Sequence, residues 1–177
     1  MNCDARNFFL DREIDQRKKV RVYRVHASGS SNLPVEALEH AYPFRVERYA
    51  LWENSSGGGQ YRGGAGVVRD YRVLADDIVV SLSSERQHVA AQGMAGGGAG
   101  AVGAFVLNPG TPEERRLPSA AADVRLPRGS VLRIATPAGG GFGPAEKRDP
   151  GAIRRDLREE RITLDKAREI YDWKETA

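Results

Sequence analysis

From Phe44 onward the apolar positions recur at every second residue. Phe44, Val46, Tyr49 and Leu51 stand among charged neighbours in FRVERYALWE, and GVVRDYRVL at 66–74 repeats the pattern. A period of two sends alternate side chains to opposite faces, so each segment predicts a half-buried strand. DIVVSLSS at 77–84, GAVGAFVLN at 100–108, AADVRLP at 121–127 and SVLRIATP at 130–137 read the same way, punctuated by turns such as LADD and PRG. No stretch between them is long enough for a crossover helix, so the strands are expected to pair antiparallel in a layered structure.

Helical spacing appears only at the flanks. NLPVEALEHAYP at 32–43 spaces Val35, Leu38 and Tyr42 along one face, with Pro34 in the first turn and Pro43 at the end. In the tail, Asp149 and Pro150 form an N-cap and N1 pair ahead of Ile153 and Leu157, and Thr163 caps a second segment carrying Leu164, Ala167, Ile170 and Tyr171. The predicted fold is mainly β: an antiparallel β-sandwich or barrel-like domain with a short N-terminal helix and two short C-terminal helices. Residues 1–31 are expected to form a poorly ordered arm with one edge strand around Val20, Val22 and Val25. Residues 32–147 form the Gly-rich antiparallel β domain, and residues 148–177 a helical tail packed on it.

Charge location narrows the function classes. Residues 1–26 hold seven bases and four acids, which accounts for the whole formal charge of +3. A phosphate-binding domain would carry its positive excess on the folded part, so nucleic acid is not an expected partner. The single Cys3 cannot form an intrachain disulfide, and the histidines have no zinc-ligand spacing. No apolar run approaches the ~18 residues of a membrane span, so a cytoplasmic location away from the membrane is expected.

Glycine is the main compositional signal. It occupies 12 of the 47 positions from 57 to 103, in SSGGGQYRGGAG and GMAGGGAGAVG, and returns in PAGGGFG at 137–143. Strands follow the first two clusters, whereas a dinucleotide fingerprint needs a helix there, and Lys147 has no Gly-Lys-Ser/Thr context for a phosphate loop. Two readings stand side by side. The glycines allow positive φ and close backbone packing where loops cross, with Phe142 packing behind the third cluster. Alternatively, the loops approach a substrate or partner, which makes Arg62, Gly63, Gly64, Gly139, Gly140, Gly141 and Phe142 the candidate contact residues. Arg62, Arg69 and Arg72 are expected to line an exposed sheet face, and Arg62 is the one placed for a carboxylate or other anion. Ser55, Ser56 and Gln60 suit turn hydrogen bonding.

Among catalytic groups, His88 is the histidine beside a Gly-rich loop and is the candidate acid or base. His40 suits a helix C-terminus, and His26 lies in the arm. Ser83 and Ser84 lack a nucleophile elbow. Asp76 and Asp77 fall in a turn without a third metal ligand, so no metal site is assigned to this chain.

Taken in order, YPFRVERYALWENSSGGGQYRGGAGVVRDYRVL at 42–74, GMAGGGAGAVG, LPRGSVLRIATPAGGGFGPAEKRDP at 126–150 and the closing ITLDKAREIYDW resemble the C-terminal portion of the hydantoinase B/oxoprolinase family. That family includes the large subunits of acetone and acetophenone carboxylases. The resemblance runs from about Leu33 to Trp173. It implies membership of an ATP-dependent system that opens a cyclic amide, such as a hydantoin or 5-oxoproline, or carboxylates a ketone. It also implies a hydantoinase A-like partner for nucleotide use and a B-like subunit several times longer than this chain. A His-x-His-Met-Thr-Asn type segment usual in the family is replaced here by VHASGSSN, which keeps only His26 and Asn32. The expected role is therefore a C-terminal domain or split subunit that binds no cofactor alone. ATP and a divalent metal belong to the full complex with an A-like subunit or an N-terminal B-like piece. The alternative role is a non-catalytic structural or interaction domain. Homo-oligomerisation is expected, with the arm or Gly-rich loops at the contact.

Overall fold

The computed structural model describes residues 34–174, so expectations for the arm, Cys3 and His26 lie outside the described residues. Helix α1 (Val35–Ala41) is followed by β1 (Phe44–Leu51), β2 (Val67–Val73), β3 (Ile78–Ser83) and β4 (Ala104–Leu107). Then come β5 (Arg115–Leu117), β6 (Ala120–Leu126), β7 (Val131–Ala135), a 3₁₀ turn (Ala145–Lys147), α2 (Pro150–Arg158) and α3 (Leu164–Tyr171). Five strands form one antiparallel sheet in the order β1-β2-β7-β4-β5, and β3 pairs with β6 in a separate antiparallel ribbon. The sheets do not close into a barrel, so the sandwich form of the expectation is the one realised.

Strand alternation sets the core. On the inner face of the large sheet, Val73, Phe105, Leu107, Leu117 and Leu132 meet Leu82 and Leu126 of the ribbon, with Phe44, Ile78, Val80, Val124 and Ile134 filling the margin. Leu126 and Val73 retain only 2% and 1% of their exposure. Full burial of such side chains is worth about 1.5–3 kcal/mol each. The outer face is different in kind. Its end next to the Gly-rich loops is small and apolar, with Val68, Ala104 and Ala135 covered by Trp52, and beyond that it becomes charged.

Sequence and structure diverge at three points. Strand β5, Arg-Arg-Leu, has a single apolar residue and therefore no alternation to read; it is a short charged edge, the usual way of blunting an open sheet. Strand β4 begins only at Ala104, because residues 100–103 belong to the glycine loops. Arg69 and Arg72, three positions apart in β2, fall on opposite faces of the sheet, and Arg62 lies in a loop turned inward.

The tail helices start where their caps predict. The Asp149 side chain accepts from the N–H of Ala152 at 2.9 Å, and that of Thr163 accepts from Lys166 N–H at 3.3 Å. Ile153, Ile162 and the fully buried Ala167 form a third core with Leu157, Tyr171 and Trp173.

Candidate functional site

Three Gly-rich loops converge beyond one end of the large sheet. The first (52–66) joins β1 to β2, the second (84–103) joins β3 to β4, and the third (136–144) follows β7. They are sewn together backbone to backbone. Gly57 N–H donates to Gly139 O, Gly98 N–H to Gly58 O and Gly141 N–H to Gly98 O, at 2.7–2.9 Å. Gly139 N–H donates to Gly64 O, Met94 N–H to Gly141 O, and Tyr61 and Phe142 exchange both of their backbone bonds.

The spacing of these chains explains the composition. A Cβ on Gly141 would lie 1.9 Å from Gly58 O, one on Gly63 2.0 Å from Gly139 O, and one on Gly97 2.2 Å from Gly141 O. No side chain fits at such distances. Positive φ is the lesser cause, since within the three loops it occurs only at Gly96 and Gly143 among the glycines. Nor does Phe142 packing account for the third cluster: its ring is 37% exposed beside Tyr61, at 6.3 Å between centroids.

The tail locks the first loop through one carboxylate. Asp156 Oδ2 accepts from Arg62 Nε at 3.2 Å and from Arg148 Nη2, and side-chain exposures are only 6% for Asp156, 11% for Arg62 and 8% for Arg148. Arg62 also donates through Nη1 to Ser56 Oγ and Gly63 O, at 2.8 and 2.9 Å. Nearby, Asn54 exchanges bonds with Thr163, and Asn54 N–H donates to Arg161 O. Burial pushes the Tyr171 phenol above its ordinary value, opposed by the Arg148 guanidinium 5.4 Å from the ring and by the N–H of Gly59. Between the loop and the tail, Asn54, Ser56, Arg62, Lys166 and Tyr171 line a cavity of about 10 Å³, room for a single water.

The structure thus brings Arg62, Gly63, Gly64, Gly139, Gly140, Gly141 and Phe142 into one assembly. His88 is in the second loop, with its side chain exposed. His40 is exposed at the end of α1. Ser55 is a turn residue, its Oγ donating to Trp52 O at 2.6 Å and accepting from Gly66 N–H at 3.0 Å. Sequence reasoning missed Asp156 and Arg148. Asp156 had a legible signal, because it falls three residues after Ile153 and one before Leu157, an acid on the apolar stripe of α2.

The hydantoinase B/oxoprolinase family profile matches residues 20–145. The chain belongs to this family. Among relatives, 5-oxoprolinase 1 of Arabidopsis thaliana is 37% identical over 119 residues, which is 67% of this chain and 9% of that protein. Caprolactamase subunit beta of Pseudomonas jessenii is 27% identical over 141 residues, 77% of this chain and 24% of that one. The solved ATP-dependent caprolactamase from the same organism superposes with a TM-score of 0.67 at 24% identity, over 77% of this chain and 24% of its own. Nucleotide-free acetone carboxylase gives the same score at 20% identity, over 77% of this chain and 22% of its own. At these identities the likeness to the solved structures is one of fold. This hydantoinase B-family chain spans about a quarter or less of the curated relatives it matches. The matched span stops before α2, so the Asp156 lock lies beyond it.

Proposed function

We propose that this chain is a C-terminal domain or split subunit of a hydantoinase B/oxoprolinase-like enzyme that hydrolyses a cyclic amide of hydantoin or 5-oxoproline type at the expense of ATP. The observation that supports this reading is the extent of the match: the family span covers most of the chain, while the chain corresponds to a quarter or less of its relatives. The remaining machinery then belongs to partners, a hydantoinase A-like subunit and an N-terminal B-like piece. The described residues do not fit a resident metal, since no group of three or more His, Cys, Asp or Glu is placed to hold one. Lys147 lies in the 3₁₀ turn without a phosphate-loop context. No step of ATP or metal chemistry is therefore routed through these side chains.

What this chain contributes, in this reading, is a loop assembly cross-linked by backbone hydrogen bonds between its loops, whose shape is preset for a partner. Among the described residues no helix is long and apolar enough to cross a membrane, and the proposed setting is the cytoplasm. Self-association, with the Gly-rich loops or the arm at the contact, forms part of the proposal. Sedimentation equilibrium tests it, and a 19.4 kDa species at every concentration would remove it.

A second reading, a non-catalytic structural or interaction domain, is favoured by the cross-bonded loops and the exposed His88. One experiment separates the two. ATP hydrolysis is measured with hydantoin and with 5-oxoproline, for the chain alone and for the complex purified from its native cells. The chain alone is expected to be inactive and the complex active, with turnover lost when the chain is stripped from it. An active complex indifferent to loss of this chain would sink the enzymatic reading.

A further inference from the structure

The outer face of the large sheet carries a cross-strand row over all five strands: Arg48, Asp70, Arg133, Val106 and Arg116. The next row sets Arg45 opposite Arg72. Glu47, at the β1 bulge, and Asp70 are the acids among these strand positions, so this face holds a positive excess although acids and bases are equal in number over residues 27–177 as a whole. A cavity of about 250 Å³ opens there, lined by Glu47, Asp70, Arg72, Asn108, Thr111 and Arg133. It is smaller than the ~300–1,000 Å³ of drug-sized sites, which selects a small ligand or a single side chain.

Its hydrogen-bonding groups are already sorted. Asp70 takes Arg133 Nε and Nη2, both at 2.7 Å, a two-pronged bond that fixes the guanidinium plane and keeps Arg133 firmly protonated. Among the described residues Arg133 Nη1 makes no hydrogen bond. Arg72 is spent on Glu47 and on Gly129 O. Asn108 Oδ1 accepts from Val131 N–H at 3.0 Å; because that N–H can only donate, the amide orientation is fixed and Nδ2 is left as a donor. Thr111 Oγ donates to Asn108 O and holds the turn. Glu114 lies close enough to act on Arg133, but its Oε2 is taken by Gly110 N–H at 2.6 Å. Two lining residues therefore keep donors unused among the described residues, Arg133 Nη1 and Asn108 Nδ2, beside acids that are already satisfied.

We propose that this cavity is a carboxylate-binding site, in which Arg133 Nη1 and Asn108 Nδ2 receive the two oxygens of a small carboxylate. The inference stands on this face alone and does not depend on the enzymatic reading above. The carboxylate comes either from a free small acid or from an acidic side chain of a polypeptide partner, and the test separates these sources.

The full chain, labelled with ¹⁵N, is titrated with glutarate, with a glutamate-rich peptide, and with sodium chloride at matched ionic strength. The Arg Nε–Hε and Asn side-chain amide signals are followed. Asn108→Asp keeps the acceptor for Val131 N–H and suits the positive φ of 49° at this position, yet replaces the donor by an anion. Arg125→Gln, on β6, makes the same change in net charge elsewhere. Saturable shifts at Arg133 and Asn108 are expected in the parent and in Arg125→Gln. Affinity should fall about tenfold or more in Asn108→Asp, the loss of one charge-assisted bond. Shifts with the peptide but not with glutarate would identify a partner's side chain as the source. Equal shifts with chloride, undiminished binding in Asn108→Asp, or no shift with either acid would overturn the proposal.

Discussion

Replacing Asp156 by alanine tests the electrostatic lock between the tail and the first glycine loop. One carboxylate serves two guanidiniums whose side chains are 11% and 8% exposed. Removing one partner of a buried pair costs about 3–5 kcal/mol, because the charge left behind is neither solvated nor paired. Arg62 would keep Ser56 Oγ and Gly63 O, while Arg148 would keep only a 3.3 Å bond to Gln60 O and already has a buried Nε without a partner. The penalty therefore falls mainly on Arg148, and a loss of about 4 kcal/mol is expected. For a domain of this size ~1 kcal/mol corresponds to ~2–4 °C, so Tm should fall by roughly 8–16 °C. Urea denaturation followed at Trp173, which packs in the tail core, and at Trp52, which packs on the sheet, reports whether the tail detaches first. Glu169→Ala provides the scale: its pair with Lys166 is exposed and should be worth under ~0.5 kcal/mol. A loss in Asp156→Ala no larger than in Glu169→Ala would refute the lock.

Three further outcomes follow from the packing. Gly141→Ala cannot keep the loop crossing, since its Cβ would sit 1.9 Å from Gly58 O, and should cost about 3 kcal/mol or more, whereas Gly110→Ala, with open space and φ +77°, should cost only ~1 kcal/mol by thermal melts. Leu126→Ala should lose ~2–5 kcal/mol in urea titrations, because both sheets bury it. Tyr171, whose pKa is raised by burial, leaves stability unchanged while both states are protonated. Above the ordinary tyrosine range near ~10 the unfolded chain ionises first, so stability should fall with pH there, and Tyr171→Phe should flatten that fall in melts taken between about pH 9 and 11.

The strands were legible where one face is buried and the other wet, as in β2, where Val73 enters the core and Arg72 stays outside. Caps were legible because Asp149 and Thr163 act within three residues of themselves. Strand β5 was not, because it is held by β4 rather than by any pattern of its own. The glycine clusters announced close approach but not its partner. That Gly141 faces Gly58 and Gly63 faces Gly139 is set by the sheet order, which places the ends of β1, β2, β4 and β7 side by side. The Arg62–Asp156 pair spans 94 residues, and local spacing carries no information about such a distance.

Glycine loses more freedom on ordering than any other residue, about 0.5–1 kcal/mol relative to alanine. Loops this rich in it would stay loose if each were held only by its own turns. Their bonds instead run between loops: Gly57 to Gly139, Gly98 to Gly58, Gly141 to Gly98. Each loop is thus ordered by the other two. Such an arrangement is cooperative, since freeing one loop removes the partners of both neighbours. The tail then acts on the first loop through side chains. Ile170 and Tyr171 Oη lie against Gly58, and Asp156 holds Arg62. A clamp on the first loop is felt by the other two through these shared bonds. Helices beyond the family-matched span are in this way coupled to the order of the glycine loops within it.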